Sequence, residues 1–137
     1  MSVRVNNRKE SEAEFLNTAH ELELMTIKLS VRENVIPKRY RYIIGQKLCD
    51  SAREVNKNII SANSIFPKRK FEFEMRRSYQ LKALAALQDL LELIRTTLEL
   101  FPIKETVSTE WMRLASVENK VLRKWMQSDQ QRYKDLT

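Results

Sequence analysis

Lys38, Arg39 and Arg41 stand within four positions of one another, with Tyr40 and Tyr42 interleaved and Pro37 immediately ahead. Ammonium and guanidinium groups at this density bind polyanions, phosphates above all, and phenol rings among them add faces on which a base can stack. No Asp or Glu lies within a helical turn to neutralise the three charges. Cations at a helix start also oppose the helix dipole, so keeping them there implies contact with a phosphate or an acidic partner. Further candidates of the same kind are Lys47, the run Lys68, Arg69 and Lys70, the pair Arg76 and Arg77, and the pair Arg123 and Lys124. A single Lys or Arg on a helix is ordinarily a solvated charge, so the argument rests on the clusters. Glu72 and Glu74 stand close enough to compensate Lys68 to Lys70, which favours the Lys38 to Arg41 tract.

Other chemistry finds little material. His20 and Cys49 are the only residues of their kinds, which leaves no Cys/His set for zinc and no intramolecular disulfide. They read as a surface imidazole and a small apolar residue. A hydrolase would need a nucleophile with its base, two carboxylates in a cleft, or a metal cluster; no catalytic residue, metal ligand or cofactor is expected. With one glycine in the chain, a Gly-rich phosphate loop is also excluded.

The elements that must position these cations follow from punctuation and period. One glycine and three prolines in 137 residues leave little for hairpins and favour an all-α fold. Residues 1–10 read as a basic flexible arm and 11–137 as a single domain. Ser11 with Glu14 forms a capping-box signature, and Phe15, Ala19, Leu22, Met25 and Leu29 follow at helical spacing, which predicts a first helix from about Ser11 to Arg32. The second helix is predicted to open at Pro37, with Ile43 and Ile44 docked on the core. Leu48, Ala52, Val55, Ile59, Ala62 and Phe66 continue the stripe up to Pro67. A third is predicted between Pro67 and Pro102 with its stripe from Phe73 to Phe101, and a fourth from an N-cap at Ser108 through Trp111, Leu114, Leu122 and Trp125 to near Tyr133.

Short connections between helices of similar length predict an up-down-up-down antiparallel four-helix bundle. The third helix is apolar over more than one stripe, Leu81, Leu90, Leu93 and Leu100 widening its face. That surplus predicts an interface and hence a homo-oligomer. The net charge of +7 makes nucleic acid, an acidic protein or an anionic membrane the default partners. The apolar faces are needed for the core and no terminal amphipathic helix is left over, so no membrane role is expected. The absence of a secretory leader and of a spanning segment predicts a cytoplasmic protein. Acidic residues collect on the first helix and basic ones elsewhere. The clusters at Lys38 and Lys68 should be separated by the length of the second helix, roughly 40 Å.

Pro37-Lys38 after an apolar residue, Ile43-Ile44-Gly45, Ala62, the leucine-rich third helix and Trp125 together resemble a family of small four-helix bundles. It includes proteins encoded in intervening sequences of bacterial large ribosomal RNA genes and the accessory variability (Avd) proteins of diversity-generating retroelements. The resemblance spans about Phe15 to Tyr133. It departs at Arg123-Lys124, where family members often carry a glycine before the tryptophan, and in the more highly charged stretch from Lys68 to Arg77. The resemblance implies a basic, ring-like homo-oligomer, a pentamer in the accessory proteins. Those proteins have no active site and bind a reverse transcriptase and its template RNA in support of mutagenic cDNA synthesis. Of the carried-over positions, Lys38 is the functional candidate, with Gly45 and Trp125 architectural. The expected function is therefore that of an RNA- or DNA-binding accessory subunit. The alternative is an interaction or structural bundle of the ribosomal intervening-sequence type that docks on an acidic protein.

Overall fold

The computed structural model describes the backbone of residues 2–137 and the side chains of residues 16–137. The described chain is all-helical, with four α-helices: α1 (Ser2–Ser30), α2 (Gln46–Asn63), α3 (Lys70–Leu100) and α4 (Glu105–Arg132). α1 begins well before Ser11, because residues 2–30 contain no glycine or proline to interrupt it. The segment expected to be a flexible arm is thus continuous with α1, and the side chains of Ser11, Glu14 and Phe15 lie outside those described. α4 likewise starts a turn earlier than expected. Glu105 follows Lys104 directly into helix, and the Ser108 hydroxyl donates to the Glu105 carbonyl (3.1 Å) from inside the first turn, so it is no N-cap.

One frame organises the interior. The buried residues Ala19, Leu22, Thr26 and Leu29 of α1, and Leu48, Ala52, Val55, Ile59 and Ala62 of α2, recur at alternating steps of three and four. So do Arg76, Gln80, Ala83, Leu87, Leu90, Ile94 and Thr97 of α3, and Trp111, Ala115, Glu118, Leu122, Trp125 and Asp129 of α4. A period of 3.5 keeps one seam of each helix on the common core, the knobs-into-holes condition for a bundle. Polar pairs set the register: Asn56 of α2 with Glu23 of α1 (3.5 Å), Ser51 with Asp89 (2.8 Å), Gln88 with Asn119 (3.0 Å), and the Trp111 indole N–H on the Thr26 hydroxyl (3.0 Å).

The frame is not wholly apolar. At the start of α3 the Arg76 guanidinium is buried and donates from Nε to Asp129 Oδ2 (2.6 Å) and from Nη2 to Asp129 Oδ1 (2.9 Å). Its Nη1 donates to the Ile65 carbonyl (2.9 Å), and Gln80 adds a bond to Asp129 Oδ2 (2.7 Å). The Trp125 ring lies 4.9 Å from the guanidinium carbon. Such a pair stabilises little against an apolar replacement, yet losing one partner strands a buried charge. Single Arg76→Ala and Asp129→Ala variants are each expected to lose about 3–5 kcal/mol, measured by urea unfolding. The double variant Arg76→Met/Asp129→Leu should unfold at higher urea than either, and a double variant no more stable than the singles contradicts the pair as the cause.

Glu118, in the same frame, has both carboxylate oxygens buried without a hydrogen-bond partner. Burial disfavours its charged form and pushes its pKa up to about 8 from an ordinary 4.5. A folded-state pKa above the unfolded one means the folded chain holds the extra proton between these values. Stability is then undiminished below about pH 4.5 and falls as pH rises toward 8, by on the order of 4 kcal/mol. Glu118→Gln should gain on the parent progressively from pH 5 to 8.5 in denaturant titrations. A difference between the two that does not change with pH counts against it.

Candidate nucleic-acid interface

The Lys38 to Gly45 tract is helical but not a plain α-helix start. Pro37, at φ −55° and ψ 144°, leads into a 3₁₀ turn over Lys38–Tyr40, then a π-helical turn over Arg41–Gly45 that runs into α2. Wide turns of this kind are rare and occur often at functional sites. Here Tyr40, Ile44 and Leu48, four residues apart, carry the inward face around the widened turn. Tyr40 meets Phe101 edge-on, with ring centroids 5.0 Å apart. Ile43, expected in the core, is thrown outward instead and is 59% exposed, while Ile44 is buried. Tyr42 beside it is 83% exposed.

Lys38 and Arg39 are exposed, and the Arg39 guanidinium lies 5.1 Å from the Tyr40 ring. Arg41 is half-buried and partly structural: Nη2 donates to the Val31 carbonyl at the end of α1 (3.3 Å), and its Nε is buried without a partner. Lys47 is exposed in the first turn of α2.

The second cluster sits on the connection between α2 and α3. Lys68, Arg69 and Lys70 are all exposed. Glu72, expected to compensate them, does something else: its Oε1 accepts the backbone N–H of Lys68 (3.1 Å) and of Arg69 (3.0 Å), satisfying donors at the start of α3. The three side-chain charges stay without a carboxylate partner among the described residues. The compensation expected from Glu72, which favoured the Lys38 to Arg41 tract, does not occur, so the ground for placing one cluster above the other falls away. Phe66 and Phe71 flank the run, 72% and 59% exposed, although Phe66 was expected on the buried stripe of α2. The helix ends at Asn63, so the stripe stops at Ala62.

The remaining candidates divide. Arg76 is buried in the Asp129 cluster and leaves the surface set, because all three guanidinium nitrogens are taken by carboxylate and carbonyl oxygens. Arg77 is half-buried, with Nη1 enclosed and unpartnered. Arg123 and Lys124 are exposed on α4, Arg123 bonded weakly to Asn119 (3.3 Å). The contacts of Arg76 with Asp129 and of Phe73 with Tyr133 (5.4 Å) bring the Lys68 cluster to the end of the bundle where α4 finishes at Arg132 and Lys134 follows. The Lys38 cluster lies beyond the other end of α2, whose 18 residues span about 27 Å.

The apolar surplus of α3 is narrower than expected. Leu90 is fully buried in the frame and is not free for a second chain, and Leu93 is half-buried against the core. Leu81 and Leu100 are exposed. Along the outer side of α3 the C-terminal half is charged, Arg95 pairing with Glu92 and Glu99 (3.8 and 3.5 Å), whereas the N-terminal half is mixed, Phe71, Met75 and Leu81 being exposed among Glu74, Ser78 and Lys82.

No protein-family model matches the chain, and no curated protein or solved structure matches it. Function is therefore argued from the surface itself. An open groove of about 740 Å³ between α1 and α2 is lined by Glu23, Asp50, Arg53, Glu54 and Lys57 among others, charges of both signs outside either cluster. Among the described residues no group of His, Cys, Asp and Glu is placed to hold a metal ion, and no helix is long and apolar enough to cross a membrane.

What sequence reasoning missed was the exposed pair Phe66 and Phe71, and the signal for it was their position on either side of Pro67-Lys68-Arg69-Lys70. Gly45, expected to permit close helix approach, is buried, and a Cβ placed there would lie 3.5 Å from the Ser30 carbonyl oxygen, an ordinary contact. Gly45→Ala should therefore raise stability by about 0.5–1 kcal/mol by removing backbone entropy from the unfolded chain. Gly45→Leu should lower it by about 1–3 kcal/mol through overpacking. Urea midpoints check both, and a destabilised alanine variant refutes the contact reading.

Proposed function

We propose that this chain is a non-enzymatic, nucleic-acid-binding accessory subunit of the diversity-generating retroelement type, binding template RNA and a reverse transcriptase in the cytoplasm. The observation that carries the reading is electrostatic. Lys38, Arg39, Lys68, Arg69 and Lys70 are exposed and form no ion pair among the described residues. Counter-ions gathered by such clusters are released when phosphates replace them, which drives binding and makes it salt-dependent.

The register pairs of α1 with α2, and of α3 with α4, support an up-down-up-down antiparallel arrangement. In it the two clusters sit at opposite ends of the bundle. One short ligand does not bridge them on a single chain, which favours a ring-like homo-oligomer, a pentamer by resemblance, whose copies set clusters side by side. The exposed Phe71, Met75 and Leu81 also favour a second reading, a bundle that docks through this side of α3 on itself or on an acidic protein without nucleic acid.

Salt separates the two. With a labelled single-stranded RNA, log affinity should fall with log salt at about 0.7 per phosphate contacted. Lys38→Glu/Arg39→Glu should weaken binding and flatten that slope by about 1.4, with circular dichroism unchanged. Affinity that survives charge reversal at both clusters refutes the proposal, and light scattering reports the assembly.

A further inference from the structure

We propose that Phe66 and Phe71 form a base-stacking platform beside Lys68, Arg69 and Lys70, so that this end of the bundle takes single-stranded rather than duplex nucleic acid. The inference rests on the nucleic-acid reading above and names the form of the ligand. Every strongly exposed aromatic ring on the described surface belongs to one of the two cation clusters: Tyr42 beside Lys38, Arg39 and Arg41, and Phe66 and Phe71 on either side of Lys68 to Lys70. Leaving a phenylalanine in water forgoes the burial that a core position would give it, so two of them, Phe66 on the connection and Phe71 in the first turn of α3, mark a surface kept for contact.

The connection is held rather than loose. Arg76 Nη1 holds the Ile65 carbonyl, Pro67 is buried, and the Glu72 carboxylate ties down the N–H groups of Lys68 and Arg69. The rings are thus presented from a fixed backbone, and the ordering cost is met before a ligand arrives. Cations that track phosphates beside aromatic faces that accept any base are the two parts of a sequence-tolerant single-strand site. In a duplex the base faces are already stacked on each other, and a phenylalanine has nothing to accept them with. A planar anionic membrane is the other partner that takes aromatic and basic groups together. It could touch one end of α2 only, whereas the aromatic-plus-cation arrangement occurs at both.

The test compares a labelled oligo(dT) with a duplex of equal length, and with vesicles containing phosphatidylserine, against the full chain. The parent should prefer the single strand. Phe66→Ala/Phe71→Ala should lose at least about 10-fold in oligo(dT) affinity, one or two stacking contacts' worth, with duplex affinity and melting temperature unchanged. Phe66→Tyr/Phe71→Tyr should recover it. Because Trp111 and Trp125 are buried, the exposed indole of a Phe66→Trp variant should be quenched by oligo(dT), a change that a purely structural role would not produce. Equal affinity of the alanine variant for oligo(dT), a changed molecular mass in that variant, or binding to vesicles in place of oligonucleotides overturns the platform and leaves the charge-based reading to its own test. A parent that binds neither single strand nor duplex overturns the platform, and one that also fails to bind the labelled single-stranded RNA overturns both.

Discussion

The bidentate bond between Arg76 and Asp129 is the contact on which the arrangement of one end of the molecule depends. A guanidinium offers five donors in a rigid plane and cannot shed its charge. Buried between α3 and α4, it must find acceptors in fixed directions. Asp129 takes two of them, and Gln80 fills out the same carboxylate. The third nitrogen reaches past the helices to the Ile65 carbonyl, in the connection after α2. Three segments far apart in sequence therefore meet at one planar group, and Trp125 covers it at 4.9 Å. An apolar layer could supply similar stability, but it would leave the position of the connection unspecified, since dispersion contacts carry no direction.

Glu118 shows the opposite case within the same seam. It occupies the interior position between Ala115 and Leu122, where a carboxylate has no donor to meet. The side chain is accommodated by protonation, with its pKa pushed up to about 8, so near neutral pH the layer behaves as a neutral polar one. Two acidic residues at interior steps of the α4 frame thus meet different surroundings: Asp129 accepts from Arg76 and Gln80, whereas the Glu118 oxygens meet no hydrogen-bond donor.

Periodicity made four helices legible, because apolar residues at steps of three and four have one compact solution, and the prolines at 37, 67 and 102 mark the breaks between them. The same signal could not report which polar residues shared the seam. Arg76 read as a surface cation and nothing marked Gln80, Glu118 or Asp129 as interior, since a charge at an interior step looks the same in sequence as one at the surface until its partner across the bundle is known. Ile43 failed for a different reason: the π turn over Arg41–Gly45 changes the number of residues per turn, so a stripe drawn at 3.6 is rotated just ahead of α2. Leu90 was misplaced because a helix 31 residues long with leucines on neighbouring stripes does not say which stripe is inner. The basic clusters, by contrast, were read directly. The reason for setting one above the other did not hold, since proximity of Glu72 to Lys68 along the chain says nothing about which atom its carboxylate will hold.

That last point explains why the cations are left unpaired at all. Carboxylates are not scarce near the Lys68 cluster: Glu72 follows it by two residues, and Asp129 is brought to the same end by α4. Glu72 and Asp129 are each engaged in a bond that fold formation requires, Glu72 with the N–H groups ahead of α3 and Asp129 with the buried guanidinium, while Glu74 is exposed and forms no ion pair among the described residues. Releasing Glu72 to pair with an exposed lysine would exchange two helix-start hydrogen bonds for a surface ion pair of small worth. Releasing Asp129 would strand Arg76. The positive field at this end follows from how the acidic residues are used within the fold, and an external polyanion can neutralise it without displacing any of those bonds.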